Sequence, residues 1–181
     1  MSQMLEDPIR ILIVDDHPVV RAGLTSMPVT QPQLEVIGAA SSGEEAMEMP
    51  RTIGADVLLL DLRMLGLSGI DVLHALKASA LATRAIILTS FETDEDIYRS
   101  VHAGAQSYLL KDTALKEMIE VIRTVHAGKR YIPRQIAARL AERMMRTDLT
   151  ARELQILEGS HEQTDWPCAG HQRAYGTQSR E

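Results

Sequence analysis

The stretch from Asp56 to Gly69 reads Asp-Val-Leu-Leu-Leu-Asp-Leu-Arg-Met-Leu-Gly-Leu-Ser-Gly. Four consecutive apolar residues, Val57 to Leu60, are typical of a strand that is buried on both faces. The carboxylate of Asp61 follows directly, and a loop containing glycine comes next. The pattern predicts a buried strand that delivers Asp61 to its carboxyl end. A single Asp at such a position is also a common turn residue, so the rest of the chain must decide between a chemical and a structural role.

Strand and helix patterns alternate along the first 128 residues. Apolar and β-branched runs predict five strands, and amphipathic stretches between them predict five helices. This alternation predicts an α/β fold, a doubly wound five-stranded parallel sheet. Pro50 falls inside the second predicted helix at a cost of about 3 kcal/mol, so we expect that helix to kink or stop there. The predicted strands are Ile9–Val14, Leu34–Gly38, Asp56–Asp61, Ala85–Thr89 and Ser107–Leu110.

Polar side chains follow four of these strands. The carboxyl ends of parallel strands share one edge of the sheet, so residues distant in sequence converge there. Three carboxylates form a hard oxygen site suited to Mg²⁺. A hydroxyl and an ammonium beside them can bind phosphoryl oxygens, which makes a carboxylate a feasible phosphoryl acceptor. The residues are Asp15 and Asp16 after the first strand, Asp61 after the third, Thr89 at the end of the fourth and Lys111 after the fifth.

Composition excludes several classes of protein. Cys168 is the only cysteine, so no intramolecular disulfide can form, and none of the six histidines shows ligand spacing. We interpret these histidines as surface or boundary residues. The N-terminus lacks the pattern of a signal peptide, and the apolar runs are too short to span a membrane. We therefore expect a cytoplasmic protein with no membrane partner.

Charge is distributed unevenly along the chain. Residues 1–128 carry 10 Lys or Arg against 18 Asp or Glu, whereas residues 129–181 carry 9 against 7. Six basic residues and one acid lie between Lys129 and Arg146. This pattern indicates either a nucleic-acid partner for the second part or a solvated helix face.

Four motifs carry a close resemblance to a known family. They resemble the receiver domain of NarL/FixJ-type two-component response regulators, which has a flavodoxin-like fold, over about residues 8–128. The motifs are Asp15-Asp16-His17-Pro18, Leu60-Asp61-Leu62-Arg63-Met64, Leu88-Thr89-Ser90 and Gly104-Ala105-x-x-Tyr108-Leu109-Leu110-Lys111-Asp112.

The resemblance implies a phosphorelay role for this cluster. Asp61 would accept a phosphoryl group from a sensor histidine kinase, and Lys111 would contact that group. Self-phosphorylation and dephosphorylation at Asp61 would be the only chemistry, so the chain would not otherwise be an enzyme. The implied ligands of Mg²⁺ are Asp15, Asp16, Asp61 and the backbone carbonyl of Arg63.

The resemblance also implies a switch. Thr89 and Tyr108 would rearrange on phosphorylation, with Tyr108 moving into space that Thr89 vacates. From the residues alone, Tyr108 could equally be a core aromatic. The surface formed by the fourth helix, the fifth strand and the fifth helix would then change. Ile97, Tyr98 and Val101 would face a partner on that surface or else pack in the core. Homodimerisation on phosphorylation is a further expectation from the family.

One departure concerns the loop after Asp61. The family pattern usually has proline where this chain has Leu65, so the loop lacks one fixed φ angle. We expect a more mobile loop and slower phosphoryl uptake.

The remaining residues suggest an incomplete effector domain. Residues 129–148 read as a helical linker, in which a basic helix from Pro133 to Arg146 is expected to be solvated. Residues 149–159 resemble the start of the LuxR-type helix-turn-helix domain, with a capping box at Thr150–Glu153. Residues 160–181 are polar and non-periodic, and we expect a disordered tail. No intact DNA-binding residues are predicted, because the recognition helix is missing.

A frameshift offers an explanation of this tail. Read one nucleotide later from His161, codon degeneracy permits Thr-Asn-Lys-Gln-Ile-Gly-Arg-Ala-Leu-Gly-Ile-Ser-Glu-Arg-Thr-Val-Arg-Lys, which continues the family's helix-turn-helix. Our hypothesis is a frameshift near Gly159, natural or a sequencing error, and resequencing the gene tests it.

Two other functions compete with a truncated response regulator. One is a transcriptional regulator that still binds DNA through its remaining helices. The other is an aspartyl-phosphate phosphatase or phosphotransferase. Those enzymes carry Asp-x-Asp after the strand, whereas Asp61-Leu62-Arg63 lacks the second acid.

Overall fold

The structure is a computed structural model that describes residues 7–79, 81–90 and 93–145, except the side chains of residues 50–53. Strands and helices alternate, as the sequence predicts. The elements are β1 (Ile9–Val14), α1 (Pro18–Thr25), a 3₁₀ turn (Met27–Val29), β2 (Leu34–Ala40), α2 (Gly43–Ile53), β3 (Val57–Asp61), α3 (Gly69–Ala78), β4 (Arg84–Thr89), α4 (Asp94–Ala103), β5 (Ser107–Leu110) and α5 (Leu115–His126). A further helix, α6, spans residues 134–145.

All five strands pair in parallel, in the order β2-β1-β3-β4-β5. This confirms the predicted doubly wound sheet. The chain moves from β1 to one edge and then back across to β3, so the order reverses between β1 and β3. Ligands of such sheets bind outside the carboxyl ends of the strands at this reversal.

Two layers of helices cover the sheet, and alternation along β1 shows how. Ile11 and Ile13 pack in a cluster with residues of α1 and α5. Leu12 and Val14 point to the opposite face, into a cluster with residues of α2, α3 and α4. Because both faces are covered, the interiors of the central strands are apolar. Their polar residues lie at the ends: Arg10 and Arg84 near the amino ends of β1 and β4, and Asp61 and Thr89 at the carboxyl ends of β3 and β4.

Of the two outcomes expected at Pro50, a kink or a stop, the stop is wrong, because α2 continues to Ile53. A proline removes one helical hydrogen bond, but packing of the amphipathic face supplies most of a helix's stability in a protein. Ala46, one turn before the proline, is buried against the sheet. Tertiary packing therefore outweighs the local penalty.

The predicted linker helix is present as α6, but the expectation that it is solvated is wrong for one of its faces. Ile136 of α6 is only 3% exposed and belongs to the same core cluster as Ile97 and Tyr108. Residues up to Arg143 form one compact unit with the sheet. The prediction counted only charge, whereas two of the basic side chains of α6, Arg139 and Arg143, have acidic partners on α4.

Of the three residues predicted either to face a partner or to pack in the core, Ile97 is fully buried and belongs to the core.

No helix among the described residues is long and apolar enough to cross a membrane. The helix-turn-helix start at 149–159 and the tail at 160–181 lie outside the described residues.

Candidate functional site

Asp15 begins the site where β1 ends. Its backbone N–H donates to the carbonyl of Ala40, which extends the ladder with β2 by one bond. Its side chain turns back on the chain, and Oδ1 accepts from the backbone N–H of His17 at 2.8 Å. The Arg21 guanidinium, one turn into α1, donates to the Asp15 carbonyl oxygen at 2.6 Å. These bonds fix the buried carboxylate at the carboxyl edge of the sheet.

Asp61 is the last residue of β3 and is only 3% exposed. Its Oδ1 accepts from the backbone N–H of Arg63 at 3.3 Å, and its Oδ2 accepts from the Lys111 ammonium at 2.7 Å. Because β1 and β3 are neighbours at the sheet's reversal point, Asp61 and Asp15 lie side by side. A turn cap would need only the bond to Arg63, so the bond to Lys111 argues for more than a structural role.

Lys111 joins the two carboxylates. Its ammonium lies 2.8 Å from Oδ2 of Asp15 as well as 2.7 Å from Oδ2 of Asp61. Burial opposes the charged form of Lys111, but its hydrogen bonds to the two carboxylates outweigh burial and raise its pKa. Burial raises the pKa of Asp61; Lys111 opposes that rise, and nearby Asp15 adds to it. The pKa of Lys111 rises despite burial because its ammonium has two anionic partners. The pKa of Asp61 also rises, because burial outweighs the effect of the one cation that this carboxylate shares with Asp15.

The loop after Asp61 is held tightly at its far end. The N–H of Gly69 donates to the carbonyl of Leu62, and a Cβ at Gly69 would lie 2.4 Å from the Asp61 carbonyl oxygen. Ser68 caps α3 in a capping box, in which Ser68 and Asp71 exchange side-chain and backbone bonds. The close approach of two backbones, rather than an unusual φ angle, explains the glycine at position 69.

A group of ligand atoms lies together at this edge. Asp15, Asp16, His17 and Asp61 each offer one ligand atom, and these atoms lie within 4.8 Å of one another. Oδ1 of Asp16 is buried, 2.7 Å from Nδ1 of His17. Several close anionic oxygens that are shielded from water favour a cation, so the donor set fits a hard divalent ion. His17 is exposed, as predicted for a surface histidine, and it lies within the acidic cluster.

Thr89 and Tyr108, the two residues expected to form the switch, are both buried. Thr89 ends β4 and lines a cleft of about 350 Å³ together with Ser90, Lys111 and Asp112. Tyr108 lies in β5, one strand further, and belongs to the core cluster on the α4 side of the sheet. The cleft gives a phosphoryl-sized group room beside the ammonium and the threonine.

The side chain of Arg63 pairs with an acid outside the acidic cluster of Asp15, Asp16 and Asp61. Its guanidinium pairs with Asp96 in the first turn of α4 at 2.8 Å. This bond raises the pKa of Arg63. Burial alone would raise the pKa of Asp96, but the interactions of this carboxylate, led by the bond from Arg63, together outweigh burial and the pKa of Asp96 is lowered. A cation therefore stands where Asp-x-Asp enzymes carry their second acid.

Sequence reasoning missed Arg21 and the place of His17. Each had a signal: His17 directly follows two acids at a strand end, and Arg21 lies one helical turn further along α1.

Comparison with known proteins agrees with this geometry. Residues 11–123 match the family model of the response regulator receiver domain. The chain belongs to this family and is a two-component response regulator, a signalling class rather than a group of metabolic enzymes.

Its relatives include transcriptional regulators. It is 38% identical to the response regulator GacA of Pseudomonas viridiflava over 82% of this chain and 73% of GacA. It is 36% identical to the transcriptional regulatory protein LiaR of Bacillus subtilis over 82% of this chain and 74% of LiaR. Among solved structures it resembles a LuxR-family response regulator from Aurantimonas sp. SI85-9A1. That match has a TM-score of 0.70 and 29% identity, and it covers 77% of this chain and 99% of the other.

Proposed function

We propose that Asp61 is the phosphoryl acceptor of this response regulator. The observation that carries the proposal is the Lys111 ammonium, which bridges Asp61 and Asp15 at the reversal point of the sheet. The Lys111 ammonium beside the buried carboxylate also lines an open cleft. Such a carboxylate, with a fixed cation beside it, can take up a phosphoryl group and hold the resulting anion.

In the proposed reaction a carboxylate oxygen of Asp61 attacks the phosphorus of a phosphohistidine. A new O–P bond forms, the P–N bond breaks, and the electron pair of the broken bond stays with the kinase imidazole. Lys111 opposes the rise in the pKa of Asp61 and so favours the anionic form that attacks. The same ammonium then neutralises charge on the transferred group.

Asp15, Asp16 and Asp61, with the backbone carbonyl of Arg63, are the proposed ligands of Mg²⁺. When bound, this ion would neutralise negative charge and align the phosphoryl oxygens for in-line transfer. Arg21 supports the set by fixing the backbone of Asp15.

Thr89 and Tyr108 are the proposed switch residues. Thr89 ends β4 and lines the cleft that would receive the phosphoryl group. A hydrogen bond from this hydroxyl to a phosphoryl oxygen would draw Thr89 toward Asp61 and favour an inward Tyr108. The change would reach the α4 surface through the core cluster that Tyr108 shares with Ile97 of α4.

The expected partner is a sensor histidine kinase, and dimerisation on phosphorylation is proposed from the family. We propose that this chain lacks sequence-specific DNA binding, because its sequence after Gly159 departs from a helix-turn-helix. A cytoplasmic location remains a prediction from the sequence.

Phosphorylation by acetyl phosphate tests the assignment of Asp61. Intact-mass spectrometry of the full chain with Mg²⁺ should show one added phosphoryl group, which hydroxylamine removes. Asp61→Asn should not be labelled, whereas Asp56→Asn, at the opposite end of β3, should be labelled like the wild type. Labelling of Asp61→Asn would refute the assignment. Continuous turnover of a small phosphoester would instead favour a phosphatase.

A gel-shift titration addresses the output. We expect only weak binding that falls steeply with salt and does not distinguish promoter from random DNA. Salt-resistant, sequence-specific binding would contradict the proposed loss.

A further inference from the structure

Three consecutive acids in the first turn of α4 each pair with a different arginine. One arginine lies in the loop that follows Asp61, and the other two lie on α6. A single helical turn therefore connects the acidic cluster with the linker. The pairs are Arg63 with Asp96 at 2.8 Å, Arg139 with Asp94 at 2.8 Å, and Arg143 with Glu95.

Apolar contacts accompany these ion pairs. Ile136 is buried, and Leu140 packs against the same cluster, which also contains Ile97 and Tyr108. The guanidinium carbon of Arg143 lies 5.3 Å from the ring centroid of Tyr98, within the range of a cation–π contact. The α4 surface thus combines negative charge, an aromatic face and an apolar recess.

The sequence of α6 matches this surface along its length. Ile136 and Leu140 are four residues apart, as are Arg139 and Arg143, so the two pairs form adjacent rows on one side of a helix. Upstream, the N–H of Tyr131 donates to the carbonyl of Gln106, which holds the start of the linker beside β5. Arg134, at the start of α6, is exposed.

We propose that the first two turns of α4 are a binding surface for a basic amphipathic helix, and that residues 136–143 of this chain occupy it and hold Tyr108 inside the receiver. The inference rests on the proposed function in one respect, namely that a phosphoryl group on Asp61 favours the inward Tyr108. The linker helix and the phosphoryl group then stabilise the same position of one side chain.

Reciprocity follows from thermodynamic linkage. If phosphorylation strengthens the docking of α6, docking must increase the affinity for a phosphoryl mimic by the same factor. The proposal therefore predicts positive coupling in both directions: phosphorylation strengthens the docking of α6, and docking strengthens binding of the phosphoryl mimic. A linker helix released by phosphorylation would give the opposite sign for both.

Hydrogen exchange of the full chain tests the first direction. With Mg²⁺ present, beryllofluoride, a phosphoryl mimic, should slow exchange of the backbone amides in residues 136–143. Unchanged or faster exchange there, at saturating beryllofluoride, would overturn the proposed coupling.

A charge swap tests the second direction. Arg143→Glu should weaken beryllofluoride binding by about two- to fivefold in calorimetry, since a partly exposed ion pair contributes little by itself. Adding Glu95→Arg should restore most of the affinity by remaking the pair with reversed charges. Arg134→Glu makes the same charge change on the same helix and should have no effect. A double variant no better than the single would overturn the role of this pair.

The two proposals fail differently. If the wild type binds no beryllofluoride, or Asp61→Asn binds it equally well, the phosphoryl-acceptor assignment fails and the coupling fails with it. The helix-binding surface is then judged by exchange without beryllofluoride. Arg143→Glu should accelerate exchange of α6, and Glu95→Arg should reverse this. No acceleration would overturn the surface as well.

Discussion

The ammonium of Lys111 and the carboxylate of Asp61 lie 2.7 Å apart, with side chains that are only 9% and 3% exposed. The pair places a permanent counterion beside the group proposed to react. The same ammonium also serves Asp15, so one lysine compensates two buried anions. Its removal should affect stability and reactivity together.

Lys111→Met should lower the free energy of unfolding by about 3–5 kcal/mol in metal-free buffer, because two buried carboxylates would lose their cation. Urea denaturation with a chelator measures this, and Mg²⁺ should recover part of the loss by replacing the missing charge. Lys129→Met removes an exposed lysine and serves as control. An equal effect of both substitutions would show that the buried pairing is unimportant.

Asp61→Asn should stabilise the metal-free chain in a pH-dependent manner. Burial raises the pKa of Asp61 in the folded state, so the folded protein favours the protonated carboxyl. The resulting stabilisation is full below the unfolded pKa of about 3.9 and is lost as pH rises through the folded pKa. Asn does not titrate. The stability advantage of Asn over Asp should therefore grow across this interval and persist to neutral pH. A difference independent of pH, measured by urea denaturation, would contradict the raised pKa.

Gly69→Ala should destabilise the fold by about 2 kcal/mol or more, because its Cβ would meet the backbone at Asp61 and Leu62. The displaced loop should also reduce labelling by acetyl phosphate. Gly23→Ala is the matched control, since its Cβ would meet nothing within 4 Å inside α1, and it should stabilise by about 0.5–1 kcal/mol. Thermal unfolding distinguishes the two signs.

Leu65→Pro should slow hydrogen exchange in the loop after Asp61 and accelerate phosphoryl uptake from acetyl phosphate. Leu65 is 86% exposed, so the substitution changes chain flexibility more than packing. Fixing φ typically stabilises a compatible position by about 0.5 kcal/mol. An unchanged labelling rate together with unchanged loop exchange would refute the proposed role of position 65.

The sheet could be predicted because each strand carries its own signal. Runs such as Val57–Leu60 are buried on both faces, and the rule that parallel strands share a carboxyl edge brought Asp15, Asp61 and Lys111 together without any contact information. Sequence-local patterns and one topological rule were sufficient there.

The errors arose where distant packing decides the outcome. Pro50 has a local cost that the packing of α2 outweighs, and α6 looked solvated because its charges were counted without their partners. The acids that pair with Arg139 and Arg143 lie more than 40 residues earlier in the chain. A periodicity rule cannot detect such pairs.

The packing of Ile136 beside Tyr108 bears on how effector modules are exchanged between response regulators. By sequence pattern the receiver ends near Gly128, but the compact unit continues to Arg143. A fusion joined at residue 128 would replace α6 with a foreign segment and leave an apolar recess open on the receiver. A fusion joined after Arg143 would keep α6 on the receiver, so that the apolar recess stays covered. The natural junction for chimaeric regulators therefore lies inside the segment that the sequence pattern assigns to the linker.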